Sequence, residues 1–284
     1  MAISNILQRQ LELQQSRQPY VLATVVEILG SSSAKPAAKA LMDWAGQLVE
    51  GWIGGGCAQA MVAQTALKCL QSGEPCVIDI DLTDEIFGAG MPCGGSMRVY
   101  VEPFLPSPQL WLLGHGRIVE TLCEFARPLG FEVIVNDAQA KPGQFPAASR
   151  LIDDDSRYRQ LQPRPGDYVL VATHHKGDYD ALTQALNSPA DYIGMIASRK
   201  RAQLVLQRLR CEGFGDTALA RIRAPAGLDL GAKLPEEIAL SIVSEMTMLR
   251  RGGQGGCLSA GQVAAGVSSA PDGISVSGEG DVSH

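Results

Sequence analysis

Apolar and polar positions along this chain follow two periods in turn, and together they predict two successive α/β units. Ile3–Arg17 reads as an amphipathic first helix. Tyr20–Leu29 (YVLATVVEIL) is apolar and β-branched, the mark of a buried strand. Ala40–Asp43 and Gln47–Ile53 read as a hairpin around Ala45-Gly46, with Leu48, Val49, Trp52 and Ile53 as its apolar positions. The period then changes: Ala58, Met61, Val62, Thr65, Ala66 and Leu70 recur at helical spacing. Cys76–Leu82 alternates apolar with polar, and Met97–Glu102 reads as a closing strand. Pro103, Pro106 and Pro108 mark a stiff connection.

The second half opens with a strand at Leu110–Leu113, a tight Gly114-His115-Gly116 turn, a helix over Arg117–Leu129 and a strand at Phe131–Asn136. Further strands are expected at Asp167–Thr173 and Tyr192–Ile196, with helices at Asp180–Asn187 and Arg199–Glu212, the latter capped by Ser198. Ala224–Ala232 reads as an irregular loop. Pro235–Arg251 carries a complete set of helix signals: Pro at the first position, Glu236 and Glu237 in the first turn, Arg250 and Arg251 in the last, and Gly252 beyond. The expected organisation is an N-terminal α/β domain over residues 1–105, a Rossmann-like doubly wound parallel-sheet domain over residues 108–253, and a disordered Gly/Ser/Ala-rich tail over residues 254–284.

The chain turns on the stretch between the hairpin and the first central helix, Gly54-Gly55-Gly56-Cys57. Three glycines allow φ > 0 and close approach by a ligand, and a helix starting just after them aims unpaired N–H groups and its positive end at the loop. This is a candidate anion cradle, and the same field favours a thiolate at Cys57. A tight turn with an inert buried cysteine fits the same letters equally well. Gly30–Lys39 supplies Ser31, Ser32, Ser33, Lys35 and Lys39, a composition suited to an anion, though a plain surface turn explains it better. A second glycine-rich loop, Gly88–Ser96, carries Cys93, Gly94 and Gly95.

In the second half, Gly114 and Gly116 would receive a pyrophosphate, and Asp137, about 20 residues further on, would reach a ribose hydroxyl. Val119 stands where the third glycine of that fingerprint belongs, which weakens the expectation of a dinucleotide. Thr173, His174, His175, Ser198 and Arg199 are expected to crowd the carboxyl ends of the parallel strands. His174 and His175, adjacent in an extended segment, point apart, so no two-histidine metal site is expected there.

Composition narrows the function classes. The 284 residues carry a net charge of −6 with no basic stripe, which argues against nucleic acid and anionic membranes. No apolar run approaches a membrane span, and the first residues lack a secretory pattern, so a cytoplasmic setting is expected. Seven scattered cysteines without a C-x-x-C argue against a disulfide framework or a structural zinc site.

With these residues in place, the chain resembles the XdhC/CoxI family of xanthine dehydrogenase accessory proteins. The likeness rests on Gly30-Ser31-Ser32 with Pro36 and Lys39, Gly54–Cys57, Cys93-Gly94-Gly95 with Val101-Glu102-Pro103, Gly114-His115-Gly116, Thr173-His174, Ile193–Ile196 with Ser198-Arg199, Pro225 with Gly227–Ala232, and Pro235–Ala239. The chain departs from the pattern at Gln59, usually acidic, at Ala197, usually glycine, and at Ala37, where glycine is common.

The resemblance implies a chaperone, not a turnover enzyme. Such a protein binds the molybdenum cofactor (molybdopterin), protects it while a cysteine desulfurase installs its terminal sulfur, and delivers it to the large subunit of a molybdenum hydroxylase such as xanthine dehydrogenase. Cys57 is the first candidate to contact the molybdenum centre and Cys93 the second. A cofactor-synthesis enzyme and a second copy of the chain join the expected partners, and a nucleotide is a candidate ligand of the Rossmann-like half. The competing reading is an NAD(P)-dependent oxidoreductase using that half. A scaffold that has lost its ligand is a third.

Overall fold

The computed structural model describes residues 2–81, 95–141, 143–173 and 177–259, which divide at Pro108 into two compact units. The Cys93-Gly94 and His174–Lys176 positions, and most of the glycine-rich tail, lie outside the described residues.

The first unit, Met1–Pro108, contains α1 (Ala2–Gln15), β1 (Tyr20–Leu29), β2 (Lys39–Asp43), β3 (Leu48–Gly51), α2 (Gly56–Ser72), β4 (Cys76–Asp81) and β5 (Ser96–Phe104). The strands form an antiparallel sheet in the order β3-β2-β1-β5-β4. Alternation along β1 divides its side chains between two layers. Val21, Ala23 and Val25 face α2 and pack with Ala58, Val62 and Ala66. Tyr20 packs with Leu13 of α1 and Leu41. The expected hairpin is present, with Gly46 in its turn at φ +75°.

One turn carries a residue in an unfavourable conformation. Ala38 N–H donates to Lys35 O at 3.0 Å, Pro36 sits between, and Ala37 has φ +68°. This is a type II turn, whose third position favours glycine. The structure thus explains why Ala37 is the odd letter in its stretch. Ala37→Gly should relieve a left-handed Cβ cost of about 1–2 kcal/mol, offset in part by the entropy of the unfolded glycine. The net expectation is a stabilisation of about 0.5–1 kcal/mol, read as a higher urea midpoint with an unchanged m-value. A lower midpoint would contradict this turn geometry.

The second unit, from Gln109 onward, contains β6 (Gln109–Gly114), α3 (Arg117–Ala126), β7 (Glu132–Asn136), β8 (Arg150–Ile152), β9 (Tyr168–Ala172), α4 (Asp178–Leu186), β10 (Tyr192–Met195), α5 (Arg199–Cys211), α6 (Asp216–Leu219), β11 (Ile222–Arg223) and α7 (Pro235–Arg251). Its sheet is parallel throughout, in the order β11-β10-β9-β6-β7-β8. This is a doubly wound Rossmann-type sheet, with its switch point between β6 and β9. Every residue of β6 is buried, as a strand covered on both faces requires. One face packs on α3 and α7 through Leu110, Leu112, Leu122 and Ile242. The other packs on α4 and α5 through Trp111, Leu113, Leu182 and Leu209.

The mixed α/β fold class follows the sequence expectation. Two edge strands do not: β8 and β11 have three and two residues, too short for a period to register. The last helix starts as its letters predict. Glu237 accepts the backbone N–H groups of Lys233 and Leu234 at 2.7 and 2.9 Å, and Glu236 pairs with Arg117 of α3 at 2.8 Å.

Candidate functional site

In the first unit, α2 begins at Gly56, so Cys57 lies in its first turn, half-buried. The N-cap is Gly55, which offers no side-chain acceptor to the first N–H groups. The three glycines differ in what the fold asks of them. Gly54 has φ +132°, and a Cβ there would meet Ala58 at 3.4 Å. Gly55 is extended at φ −69° and Gly56 is helical, so neither uses the left-handed region the run of glycines suggests. Among the described residues, a Cβ on either would meet nothing within 4 Å. Glycine in a helix costs up to about 1 kcal/mol relative to alanine. No contact with the described residues requires glycine at either position, although glycine is a favourable N-cap at Gly55.

Other expected residues of this half are placed as follows. Gly95 packs hard against the end of β1: a Cβ would lie 2.5 Å from Leu29 O and 2.6 Å from Ser31 O. Two residues on, Met97 touches the space beside Gly54 at 4.0 Å. The Gly30-Ser31 turn, the Gly95 approach and the Gly54–Cys57 turn thus converge through the start of β5. Ser31 is exposed, and Ser32 Oγ is occupied in its own turn, accepting Ala34 N–H at 3.2 Å. Lys39 is not brought to this rim. Its Nζ donates to Thr24 Oγ1 at 2.8 Å, and the alternation that turns Ala23, Val25 and Ala40 toward α2 turns Thr24 and Lys39 to the opposite face.

In the second unit, Gly114 closes β6 at φ +139°, pressed against Ala172 of β9. Gly116, at φ +102°, is the N-cap of α3 and again supplies no side-chain cap. Asp137 is where the fingerprint places it, after β7, but its carboxylate is already engaged. Oδ1 accepts Gln139 N–H at 2.7 Å, and Oδ2 lies 3.1 Å from His115 Nδ1. Val119 is buried in the core between α3 and the sheet, filling the space the third glycine would leave open.

Thr173 is buried at the carboxyl end of β9, and its Oγ1 donates to Asp178 Oδ1. Asp178 also accepts Arg201 Nε at 2.7 Å, and Arg201 donates to Thr173 O at 3.1 Å. Ser198 caps α5 as expected, accepting Arg201 N–H at 3.3 Å. The arginine that reaches the rim is therefore Arg201, while Arg199 is exposed. The letters hold a signal for this. Three cations, Arg199, Lys200 and Arg201, open a helix whose dipole repels them, so a compensating anion has to be near.

Tyr158 and Asn136 carry no such signal in the sequence. Tyr158 is buried at φ +55°, with its hydroxyl 2.9 Å from where a Gly177 Cβ would be. Burial, with Asp137, Asp178, Asp180 and Asp155 around it, pushes the phenol up to about 12, so it stays protonated at neutral pH. Asn136 is fully buried at the end of β7, its Nδ2 on Asp155 at 3.3 Å. Asp155 accepts the backbone N–H of Gln160 at 2.6 Å, which fixes the loop that inserts Tyr158. An open groove of about 390 Å³ beside this loop is lined by Arg157, Arg159, Asp180, Thr183 and Gln184, with no apolar face for a flat ring to stack on.

Comparison with known proteins follows this division. A family profile described as the XdhC Rossmann domain matches residues 110–246, and one described as the XdhC and CoxI family matches residues 13–81. The uncharacterized protein YqeB of Escherichia coli (strain K12) is 31% identical over 261 residues, covering 89% of this chain and 48% of that protein. A probable xanthine dehydrogenase subunit of Bacillus subtilis (strain 168) is 31% identical over 160 residues, 54% of this chain and 46% of that protein. The molybdenum cofactor insertion chaperone PaoD of Escherichia coli (strain K12) is 22% identical over 296 residues, 86% of this chain and 88% of that protein. The chain spans about half the length of the first two relatives. A crystal structure described as a xanthine dehydrogenase from Bacillus halodurans aligns over 92% of this chain and 99% of its own, at 25% identity and a TM-score of 0.47. No helix among the described residues is long and apolar enough to cross a membrane. With both profiles matched in order along the chain, it belongs to the XdhC and CoxI family.

Proposed function

We propose that the chain binds the molybdenum cofactor as cargo and passes it to a molybdenum hydroxylase. The observation that carries this is the start of α2. Among the described residues a Cβ at Gly55 or Gly56 would meet nothing within 4 Å, both glycines are exposed, and the N-cap Gly55 makes no side-chain hydrogen bond. The donor set fits the cargo. A helix N-terminus suits the phosphate, and a thiol in the same first turn suits a soft molybdenum–sulfur centre. The relative named as a molybdenum cofactor insertion chaperone aligns along most of both chains and supports the same reading. Sulfuration by a cysteine desulfurase before delivery is part of the proposal, as is a xanthine dehydrogenase-like recipient. Cys93 remains the second thiol to test.

A nicotinamide enzyme is less well supported. Both Asp137 oxygens are engaged, and the Val119 side chain fills the third glycine's place. A nucleotide in this unit would have to share Asp137 with the Gln139 N–H and the His115 ring.

The experiment is Gly56→Ala beside Cys57→Ala in the full chain, co-expressed with cofactor synthesis. Gly56→Ala should hold or raise stability by up to about 0.5–1 kcal/mol while lowering the pterin and molybdenum that co-purify. Cys57→Ala should fold normally and also retain less molybdenum. Retention unchanged in both variants would reject the site. Tight NAD(H) binding by the wild type with no cofactor retention would reject the function.

A further inference from the structure

Two thiols stand together at the end of α2 remote from the glycine turn, about 18 Å along the helix from Cys57. The sulfurs of Cys69, near the end of α2, and Cys76, the first residue of β4, are 3.5 Å apart. The connection between them is short and shaped. Gly73 ends the helix in the left-handed region at φ +72°, donating to Cys69 O at 2.8 Å, and the chain enters β4 three residues later. Cys69 is buried against β5, with its sulfur 3.9 Å from Val101 O, whereas Cys76 is half-buried. Register places Cys76 opposite Val101, so both sulfurs lie over the same β5 residue.

We propose that Cys69 and Cys76 are a modification site, forming a reversible intramolecular disulfide when the protein meets a hydroperoxide. The sulfurs, 3.5 Å apart, need to close by only about 1.5 Å to reach the ~2.05 Å of a disulfide. The Cys76 sulfur attacks hydrogen peroxide, so an S–O bond forms, the O–O bond breaks, and the departing oxygen takes a proton to leave as water. Cys69 then attacks the sulfenic sulfur. The S–S bond forms, the S–O bond breaks, and the Cys69 proton leaves with the hydroxyl as a second water. Two thiols lose two electrons and the peroxide gains them.

The order of events follows from burial. Burial and the hydrogen bond to Cys76 push the Cys69 thiol up to about 11, so it is the protected, resolving partner, and the half-buried Cys76 is reached first. The product ties α2, whose other end carries the glycine turn, to β4, which leads into the segment bearing Cys93. The inference stands whether or not that turn holds the cofactor.

The test is differential alkylation of the full-length protein. Thiols are blocked with one reagent after graded hydrogen peroxide, reduced, labelled with a second reagent, and read residue by residue by tandem mass spectrometry. The expected result is loss of first-reagent label at Cys69 and Cys76 together, with both recovered after reduction. In Cys69→Ser, Cys76 should pass instead to sulfinic acid. In Cys76→Ser, Cys69 should keep its first label. Both thiols still blocked at doses that oxidise the exposed Cys211 and Cys257 would overturn the proposal. So would Cys76 reaching sulfinic acid in the wild type while Cys69 remains a thiol, or pairing of either with another cysteine.

Discussion

Gly114→Ala is expected to remove stable folding from the second unit. The new Cβ would lie 2.3 Å from Ala172 O and 2.6 Å from Ala172 C, backbone atoms of the neighbouring strand. It would also be held at φ +139°, a conformation L side chains rarely adopt. Neither strand can yield, because Leu112 and Leu113 on β6 and Leu170 and Val171 on β9 are fully buried on opposite faces. Close packing turns a sub-ångström demand into displacement of a whole sheet. The expected cost is about 4 kcal/mol or more, near the total stability of many domains. Trp111, 3% exposed in the second unit, reports the loss by fluorescence, since Trp44 and Trp52 are already 64% and 47% exposed. A variant that unfolds at the wild-type urea midpoint would mean that β6 and β9 do not meet in this register.

The second large effect is expected at Asp178. Asp178→Ala should cost about 3–5 kcal/mol, because it strands a charge rather than merely deleting a contact. Asp178 is 4% exposed and accepts from Thr173 Oγ1 and from Arg201, whose side chain is 20% exposed. Without the carboxylate, the guanidinium keeps its desolvation and its place at the start of α5, where the helix dipole opposes it. Removing the charge as well should recover part of the loss, so Asp178→Ala with Arg201→Met should be more stable than Asp178→Ala alone. Urea unfolding of the four proteins in the cycle measures the coupling. A coupling near zero would show that the pair is solvated and structurally idle.

These two sites differ in how much of them is legible in the letters. The motif singles out Gly114, but for a phosphate. In the structure its first duty is to let β9 approach β6. A Ser-Arg pair is visible in the chain and points to Arg199. The partner that selects Arg201 among three cations, Asp178, is more than 20 residues away. Lys39 likewise looks available in the sequence, and only the pairing of β1 with β2 brings Thr24 to it. The run of three glycines suggests one left-handed loop, yet only Gly54 uses it. What distinguishes Gly55 and Gly56 is their exposure and the lack of a described neighbour that a Cβ would meet, a property no local pattern contains. Val119 is the reverse case, where the letters lack the third glycine and the structure buries the side chain that replaces it in the core. Cys93 and His174 lie outside the described residues and await the retention assay.

Periodicity along the chain is enough to set the α/β class and the starts of α5 and α7, whereas α2 begins at Gly56, two residues ahead of the Ala58 at which its apolar spacing starts. Those features follow from short-range rules: apolar spacing, capping and the fixed φ of proline. Which strands became neighbours, which charged groups were neutralised and which thiols came within 3.5 Å of each other were settled by packing. Such contacts join residues distant in the chain, and their energies depend on burial that no local stretch of letters can report.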